Sequence, residues 1–511
     1  MRVANFFDRN QAAVAEILKG MDPHAFRGRL SKLAVALAFD HTAATTSEGI
    51  TTLELATDLL ARFYPGLSLR PLDACAVTSV LAEMLSKAAR AIHPDIDLSV
   101  KPSKVVLCLV VGNLAPSVDI PRIFLGSCGW TALLDSAGPV GSLDSGNPFG
   151  AAAAACLGVA NTFRTIFSDE LADAPPNGRA ELDVLHHRLA RSPAVAELPP
   201  INLQGTHLVG LGAIGRATVW TLARAAALSG ELNGVDHEAI ERTNLQRYVG
   251  ATQGDQAKAR LKTRSAKRMF EGTKVALVEH ASTWGQYLAG RGDFHLGRVA
   301  VALDTAEGRI AVQASLPRRL LNAWTQPGDL GVSRHDFTSG PCLACLYLPD
   351  GKVRNFSENV ADALRLPEME IREKLHVGFR VDRVFLERVS ETTGVPIDVL
   401  LRFERESLSA FYSKAVCGTA DFGTSRGGDR GAVAVPMAFQ SAFAGVLLAA
   451  EIVADSSSLR TLPMQPVTKI NLLKPLGRYL MEPTAKHHSG RCLCQDKSYI
   501  SAYRLKYADA P

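Results

Sequence analysis

The chain has 511 residues, of which 47% are hydrophobic and 21% are charged, and its formal net charge is +5. This length exceeds what one hydrophobic core normally supports, so we expect two or three domains, and the composition excludes an intrinsically disordered chain. The charge is spread along the chain without a block of Lys and Arg, and aromatic residues make up only 6%. Neither feature is typical of a protein that binds nucleic acid.

The two segments that could target or anchor the protein favour a cytoplasmic location. Residues 1–20 lack the apolar stretch and cleavage site of a secretory signal. The most apolar run, residues 433–454, is interrupted by Pro436, Gln440 and Glu451, which a bilayer core would penalise. We therefore expect a buried helix in this run and no membrane partner.

The N-terminal part of the chain predicts helices followed by an α/β segment. Residues 1–100 carry runs with apolar residues three and four apart, among them LSKLAVALAF, and predict a helical region. Residues 101–175 combine two strand-like runs, KVVLCLVVG and WTALLDS, with a helix that begins at Pro148. This helix is similar to the later one after Pro436, which indicates either an internal repeat or two unrelated Ala-rich helices. Residues 175–200 predict a connector with one charged helix.

The next segment carries a glycine-rich nucleotide motif. HLVGLGAIGRATVW places G-x-G-x-x-G at Gly210, Gly212 and Gly215, between an apolar strand and a helical pattern. Glycine lets the backbone approach a phosphate at a helix N-terminus, where unpaired N–H groups favour anions. The following strand ends in Asp236, whose carboxylate suits the hydroxyl groups of a ribose.

Polar residues continue beyond this motif, where a nicotinamide-binding protein needs none. VDHEAIERTNLQR supplies Asn244 and Arg247, Lys258 follows, and LDTAEGR places Asp304 and Arg309 after another strand. Cations neutralise the α-phosphate and the departing pyrophosphate of ATP, and a carboxylate holds Mg²⁺. The set therefore predicts nucleotidyl transfer. Solvated surface is the alternative for these charges, and Arg309 suits a structural ion pair equally well.

These motifs together resemble the adenylating domain of the ThiF, MoeB and ubiquitin-activating enzyme superfamily. The resemblance is dense around the motifs and loose towards the C-terminus. It implies a Rossmann-like fold with a mostly parallel central sheet, in which Asp236 binds the ribose and Asp304 holds Mg²⁺. By the same resemblance, Asn244, Arg247 and Lys258 bind the triphosphate of ATP.

Four cysteines form two pairs that suit zinc, since four thiolates close a tetrahedral Zn²⁺ site. The resemblance supports this prediction, because many members join the same two regions with paired Cys-x-x-Cys motifs. The second pair here is one residue shorter, so His487 or His488 is an alternative fourth ligand. Unpaired buried cysteines are the alternative to zinc. The paired residues are Cys342, Cys345, Cys492 and Cys494.

Another cysteine, Cys417, is the candidate nucleophile. It ends a helical pattern, and the Gly-rich polar stretch after it contains Arg426 and Arg430, which would favour the thiolate. In ThiF and ubiquitin-activating relatives, a cysteine between the two zinc pairs attacks the acyl adenylate, and Cys417 has that place in chain order. An incidental loop cysteine is the alternative. The other cysteines lie in apolar runs and are expected to be inert buried thiols: Cys75, Cys108, Cys128 and Cys156.

The predicted organisation has four parts within an α/β fold class. They are a helical N-terminal region (1–100), a degenerate, inactive adenylation-like α/β half (101–175), an active adenylation domain (200–345 and 432–511), and a helical insertion with the catalytic cysteine and a crossover loop (346–431). This layout resembles bacterial ubiquitin-activating-like proteins associated with phage-defence operons.

The predicted function is ATP-dependent activation of a ubiquitin-like protein. Its C-terminal carboxylate would attack ATP to form an acyl adenylate, and Cys417 would take the acyl group as a thioester before a conjugating enzyme accepts it. The expected ligands are ATP, Mg²⁺ and Zn²⁺. An arginine from a second adenylating half would complete the site, in a homodimer or in a pseudo-dimer within the chain.

Four other functions share parts of this pattern. A sulfur-carrier adenylyltransferase of the thiamine or molybdopterin type needs every adenylation residue, and only the length and the insertion speak against it. An enzyme that adenylates a tRNA-linked or small-molecule carboxylate has no support from composition. A catalytically silent nucleotide-binding scaffold would not need the charged set, and a dehydrogenase would need only the glycines and Asp236.

Overall fold

The structure is a computed structural model that divides into two compact units. Unit one comprises Met1–Leu348 and Val435–Pro511, and unit two comprises Pro349–Ala434. The residues that the structure describes are 1–18, 22–117, 119–171, 175–190, 197–326, 329–349, 356–412, 415, 435–460, 463–477 and 483–508.

The first half of unit one contains a seven-stranded sheet with the order β2-β1-β3-β4-β5-β6-β7. The first four strands in this order are parallel, and each later neighbour is antiparallel. The strands are β1 Ala34–Phe39, β2 Leu67–Pro71, β3 Val105–Val111, β4 Arg122–Cys128, β5 Thr131–Asp135, β6 Arg179–Asp183 and β7 Arg188–Leu189. The helices are α1 Phe7–Ile17, α2 Pro23–Leu30, α3 His41–Thr45, α4 Ser47–Phe63, α5 Ala76–Ile92 and α6 Pro148–Ile166, with a 3₁₀ turn at Pro102–Lys104.

Two predictions for this half are wrong. The run LSKLAVALAF, predicted as helix, contains β1, in which all six residues are buried between the parallel strands β2 and β3. A strand covered on both faces is apolar throughout, so periodicity does not separate it from a buried helix. The predicted charged helix of the connector is instead β6 and β7, because β6 pairs with β5 and extends the sheet.

The second half of unit one begins with a second sheet, ordered β11-β10-β9-β12-β13-β14-β15, with β8 paired to β10. Its strands before the insertion are β8 Ile201–Asn202, β9 Thr206–Val209, β10 Leu228–Val235, β11 Val275–His280, β12 Arg298–Val301, β13 Arg319–Thr325 and β14 Leu330–His335. Its helices there are α7 Ala213–Leu222, α8 Gln253–Ala257, α9 Lys262–Lys267, α10 Trp284–Ala289 and α11 Ala306–Ala314, with 3₁₀ turns at Arg242–Gln246, Arg268–Phe270 and Leu343–Leu346.

Unit two is helical throughout its described residues. Its apolar side chains, among them Phe385, Leu386 and Phe411, form a core of their own. A separate core is what defines a domain. The regular elements described in the insertion are all helices, so its predicted helical character is confirmed. The helices are α12 Phe356–Leu364, α13 Glu368–His376, α14 Arg383–Thr393, α15 Ile397–Leu401 and α16 Leu408–Phe411.

The chain then returns to unit one. It adds α17 Ala438–Asp455, β15 Val467–Ile470, a 3₁₀ turn at Leu493–Gln495 and α18 Lys497–Lys506. In the described part of the chain, α17 alone is long and apolar enough to cross a membrane, and 94% of it is buried inside the unit. The prediction of a buried helix here is confirmed.

The two sheets repeat one topology. The order β2-β1-β3-β4-β5-β6 corresponds to β10-β9-β12-β13-β14-β15, and the strand directions agree at every step. In the first half β1 is followed by α3 and α4, and in the second half β9 is followed by α7. A helix that begins at or just after a proline precedes β6 in the first half (α6) and β15 in the second (α17). Helix α17 packs against α7 and α6, and α6 packs against α4. The mixed α/β class with mostly parallel sheets is confirmed.

Small residues allow the close helix contacts at this centre. A Cβ on Gly445 of α17 would lie 2.5 Å from the carbonyl oxygen of Ile214 in α7. The hydroxyl of Thr218 in α7 donates to the carbonyl oxygen of Gly445 at 3.1 Å. The two helices therefore meet backbone to backbone, and any larger residue at position 445 would push α7 and the turn before it out of place.

Candidate active site

The glycine-rich turn joins β9 to α7 and leaves no room for a side chain at Gly210 or Gly215. Gly210 has a φ of 89°, and a Cβ there would lie 2.7 Å from the carbonyl oxygen of Ala302, just after β12. A Cβ on Gly215 would lie 2.0 Å from the carbonyl oxygen of Gly210. Gly212 is the N-cap of α7 and provides no side chain to the first N–H groups of the helix. The turn therefore leaves the positive end of α7 open at the carboxyl edge of the sheet, as a phosphate site requires.

Asp236 follows β10 and lies against this turn. Its Oδ2 accepts the N–H of Leu211 at 2.7 Å, and its Oδ1 accepts the N–H of Glu238 at 2.9 Å. The side chain is buried. The two N–H donors fix the carboxylate beside the glycines, at the position where the sequence predicts recognition of a ribose.

Asn244 shapes the chain that carries Arg247. Residues Arg242–Gln246 form a 3₁₀ turn, and the side-chain oxygen of Asn244 accepts the N–H of Glu241 at 2.9 Å. The Glu241 side chain caps the same turn in return, so the pair forms a capping box. Asn244 therefore has a structural bond in addition to the triphosphate contact that the resemblance implies.

Two arginines from different halves, Arg9 and Arg247, interact electrostatically, and Asp304 acts on Arg247 as well. Burial lowers the pKa of Arg247 and the charge of Arg9 lowers it further, whereas Tyr248 and then the carboxylate of Asp304 oppose these effects. Arg9 belongs to α1; burial lowers its pKa, and the carboxylate of Glu241 opposes this effect. Among the described residues, no group accepts a hydrogen bond from the Arg9 Nε. Desolvated cations of like charge favour an anion between them. Sequence reasoning missed Arg9 because no local motif marks it.

Lys262, rather than Lys258, lies beside Asp236. Lys258 is exposed and directly follows α8. Lys262 is buried at the first turn of α9, forms an ion pair with Glu238, and has its Nζ 5.4 Å from the ring centre of Tyr248. Burial alone would lower the pKa of Lys262, but Tyr248 and the carboxylates of Asp236 and Glu238 raise it overall. The sequence analysis missed Lys262, since the spacing of the motif allows either lysine.

Asp304 and Arg309 have different environments although they are close in sequence. Asp304 is exposed just beyond β12, where its carboxylate faces Arg247. Arg309 is buried; it donates to the hydroxyl of Tyr347 at 2.9 Å and to the carbonyl oxygens of Ala323 (3.1 Å) and of the residue before Asp304. Of the two roles that the sequence left open, these contacts favour a structural role for Arg309.

The site as a whole suits a nucleoside triphosphate. Arg9, Arg247 and Lys262 supply positive charge, and the N-terminus of α7 adds unpaired N–H groups. The exposed carboxylate of Asp304 has the chemistry of a Mg²⁺ ligand, because Mg²⁺ binds ATP-dependent sites through one or two carboxylates and the substrate phosphates. A nicotinamide dinucleotide, by contrast, needs no such group of cations.

The four paired cysteines form one buried cluster. Their sulfur atoms all lie within 4.8 Å of one another, and four of the six sulfur–sulfur distances range from 3.4 to 4.0 Å. A tetrahedral zinc with Zn–S bonds of about 2.3 Å would separate its sulfurs by about 3.8 Å, so the donor set fits zinc. His488 is exposed, and the Nδ1 of the half-buried His487 contacts Ser489, so among the described residues the four cysteines form the cluster. The clustered residues are Cys342, Cys345, Cys492 and Cys494.

The remaining described cysteines divide into two kinds. Cys108, Cys128 and Cys156 are buried, and burial raises their pKa values, so the prediction of inert thiols is confirmed for them. The prediction is wrong for Cys75, which is partly exposed at the N-cap of α5. Hydrogen bonds from Thr78 and then from His41 lower the pKa of the Cys75 thiol to about 7. Its Sγ lies 3.3 Å from the Thr78 hydroxyl and 3.6 Å from the His41 Nδ1.

The predicted nucleophile Cys417 lies outside the described residues, as do Arg426 and Arg430. Its catalytic role therefore stays a prediction.

Comparisons with known proteins add a family and a local match. Residues 38–168, which run from within β1 to just beyond α6, match the model of Prokaryotic E2 family C. Among solved structures, the chain is similar to Escherichia coli MccB with ATP (22% identity over 29% of this chain and 45% of that chain, TM-score 0.25) and to E. coli MccB with AMPCPP and MccA (20% identity, 33% and 54%, TM-score 0.25). The chain spans about half the length of these MccB chains.

One relative matches over the full length. The uncharacterized protein y4jF of Sinorhizobium fredii (strain NBRC 101917 / NGR234) is 43% identical over 519 residues, which cover 100% of this chain and 98% of y4jF. Identity at this level over whole chains implies a shared fold for all parts described above. The chain belongs to the family of y4jF.

Proposed function

We propose that this protein uses ATP to adenylate the C-terminal carboxylate of a ubiquitin-like protein and then transfers the acyl group to Cys417 as a thioester. One observation carries the proposal. Asp236 is bonded to the glycine turn through the N–H of Leu211 and acts on the charge of Lys262, and Asp304, just beyond β12, acts on the charge of Arg247. A site of this composition matches the needs of nucleotidyl transfer more closely than those of hydride transfer.

In the first step, a carboxylate oxygen of the substrate attacks the α-phosphorus of ATP, and the bond to the pyrophosphate oxygen breaks. Arg247 and Lys262 neutralise the charge that develops on the transferred and departing phosphates, and the N–H groups of α7 orient them. Asp236 holds the ribose hydroxyls. Asp304 would hold Mg²⁺, which supplies further charge neutralisation when bound.

The first half of the chain contributes to the same site through Arg9. The resemblance to ubiquitin-activating enzymes implies an arginine from a second adenylating half, and Arg9 is the residue of α1 whose charge acts on Arg247. Its buried Nε has no recorded acceptor among the described residues. We assign Arg9 to the outer phosphates of ATP, which makes unit one a pseudo-dimer with one working site.

In the second step, the thiolate of Cys417 attacks the carbonyl carbon of the acyl adenylate, and AMP leaves. The five helices described in unit two precede Cys417 in sequence, and a small helical unit suits a segment that carries a thiol between partners. The match of residues 38–168 to Prokaryotic E2 family C supports a ubiquitin-type pathway over a sulfur-carrier pathway, because E2 denotes the conjugating class. A conjugating enzyme as acceptor and a cytoplasmic location complete the proposal.

ATP–pyrophosphate exchange with candidate carrier proteins tests the first step, and an adduct that thiols cleave tests the second. We expect Cys417→Ala to retain exchange and to lose the adduct, and Asp304→Ala to lose both. Cys108→Ala, which removes a buried thiol far from the described site residues in sequence, is the matched control for Cys417→Ala. An adduct that persists in Cys417→Ala would overturn the thiol assignment, and exchange that persists in Asp304→Ala would overturn the adenylation site.

A further inference from the structure

A buried ion pair of the first half is bonded to the segment that carries Arg247. Arg62 of α4 has no exposed surface, and its guanidinium binds both carboxylate oxygens of Asp58 at 2.7 and 3.0 Å. The same guanidinium donates to the carbonyl oxygens of Leu245 and Ala251. One planar group therefore ties together two points of the chain on either side of Arg247.

Asp58, the partner of Arg62 in the ion pair, also bonds to the backbone of this segment. Its Oδ2 accepts the N–H of Gly250 at 2.9 Å. Arg216 of α7, also fully buried, donates from Nε to the carbonyl oxygen of Val249 at 3.1 Å. Residues 245–251 thus have four backbone groups satisfied by buried charged side chains, and three of these bonds come from α4.

The same segment presents two side chains to the nucleotide site. Arg247 faces Asp304, and the ring of Tyr248 lies 5.4 Å from the Nζ of Lys262. The Tyr248 hydroxyl would lie 3.5 Å from a Cβ on Gly212, at the start of α7. A shift of this backbone by an ångström would therefore displace both the cation and the ring from the turn that binds phosphate.

We propose that Asp58 and Arg62 are positioning residues for ATP binding: from the half without a nucleotide motif, they hold residues 245–251 so that Arg247 and Tyr248 face the glycine turn. The inference rests on the proposed function for the identity of the ligand. It assigns the first half a defined task at the site in addition to supplying Arg9.

A lysine at position 62 tests the geometry while it keeps the charge. An ammonium lacks the planar fork that reaches two carbonyl oxygens and a carboxylate together. We expect R62K to raise the Kd for Mg-ATP, measured by isothermal titration calorimetry, by about tenfold or more. Hydrogen–deuterium exchange should rise in residues 245–251 and stay unchanged in β9 and α17. D58N, which keeps the shape and removes the charge, should act in the same direction and replaces R62K if that variant fails to fold.

Glu54→Gln provides a matched control, because Glu54 of α4 forms another ion pair between the halves, with Arg224 at 2.9 Å, and has no recorded bond to residues 245–251. E54Q should bind Mg-ATP within about twofold of the wild type. Wild-type affinity in both R62K and D58N, or an equal loss in E54Q, would overturn the inference. A wild-type protein that binds no Mg-ATP would contradict the proposed function instead, and the exchange of residues 245–251 would then decide by itself whether the ion pair holds this segment.

Discussion

The two sheets share a topology, but different residues follow the corresponding strands β1 and β9 at the carboxyl edge. In the second half, Gly210 follows β9 and contacts the backbone of Ala302 beyond β12. In the first half, Asp40 follows β1, and a Cβ on Gly112, beyond β3, would lie 2.1 Å from its Oδ1. The glycine and the bulkier residue have therefore exchanged places across the same pair of strands.

This exchange has an electrostatic consequence. The Asp40 carboxylate accepts the N–H groups of Ala43 (3.0 Å), Asn113 (2.5 Å) and Leu114 (2.8 Å). The first half thus fills its own anion position with a side chain, whereas the glycines of the second half leave the N-terminus of α7 open. A parallel sheet with a helix after its first strand creates the position for an anion, and single residues decide whether a ligand can use it.

The largest effect is expected at Lys262, a cation that the sequence analysis did not predict. Lys262→Ala should reduce kcat/KM for ATP–pyrophosphate exchange by about 100-fold, because it removes a desolvated charge next to Asp236. Lys258→Ala is the matched control and should stay within about twofold, since Lys258 is exposed. Circular dichroism checks that both variants fold. The reverse ranking of the two variants would restore Lys258 to the site.

A smaller effect, on stability instead of activity, is expected at Asp40. Asp40→Ala leaves three N–H groups without their acceptor and should lower the free energy of unfolding by about 3 kcal/mol. It should leave the Kd for Mg-ATP within about twofold, because Asp40 lies in the half without the glycine-rich motif. Urea unfolding and calorimetry measure the two quantities. A large loss of ATP affinity at full stability would mean that the first half binds a nucleotide after all.

The smallest effect is expected for the thiol of Cys75 in the first half. Because the pKa of Cys75 is lowered to about 7, the thiolate is present above that pH, and alkylation by iodoacetamide should rise with a midpoint near pH 7. Thr78→Val should shift the midpoint towards the ordinary value of a thiol, and His41→Ala should shift it less, in the order of their contributions. Peptide mass spectrometry resolves Cys75 from the buried Cys108. A midpoint near pH 9 in the wild type would contradict the geometry at α5.

Errors of sequence reasoning in this protein occur where burial erases a pattern. The strand β1 carries the apolar run AVALAF, which reads equally as helix, and its identity comes only from β2 and β3 on either side. Cys75 lies at the start of an amphipathic run and reads as a core thiol. The structure places it partly exposed at the N-cap of α5, where it is bonded to Thr78 of the same helix and to His41 of another element.

The local motifs, by contrast, were readable because each bond they need is short in sequence. Gly210, Gly212 and Gly215 build one turn, and Asn244 lies in a 3₁₀ turn and bonds to its N-cap, Glu241, three residues before it. The short spacing of Cys342 and Cys345 indicated a metal site. The second pair, Cys492 and Cys494, joins the cluster because the C-terminal segment folds back against this part of unit one.

The amino-acid sequence by itself determined the α/β class, the glycine turn and the acidic strand end, since these follow from local periodicity and from backbone space. Only the tertiary structure showed that Lys262 is buried whereas Lys258 is exposed, and that the charge of Arg9 acts on Arg247. The bonds from Arg62 to the backbone of Leu245 and Ala251 also come from the tertiary structure alone. The partners of these residues lie far apart along the chain, and the energy of a buried charge depends on which groups folding brings around it.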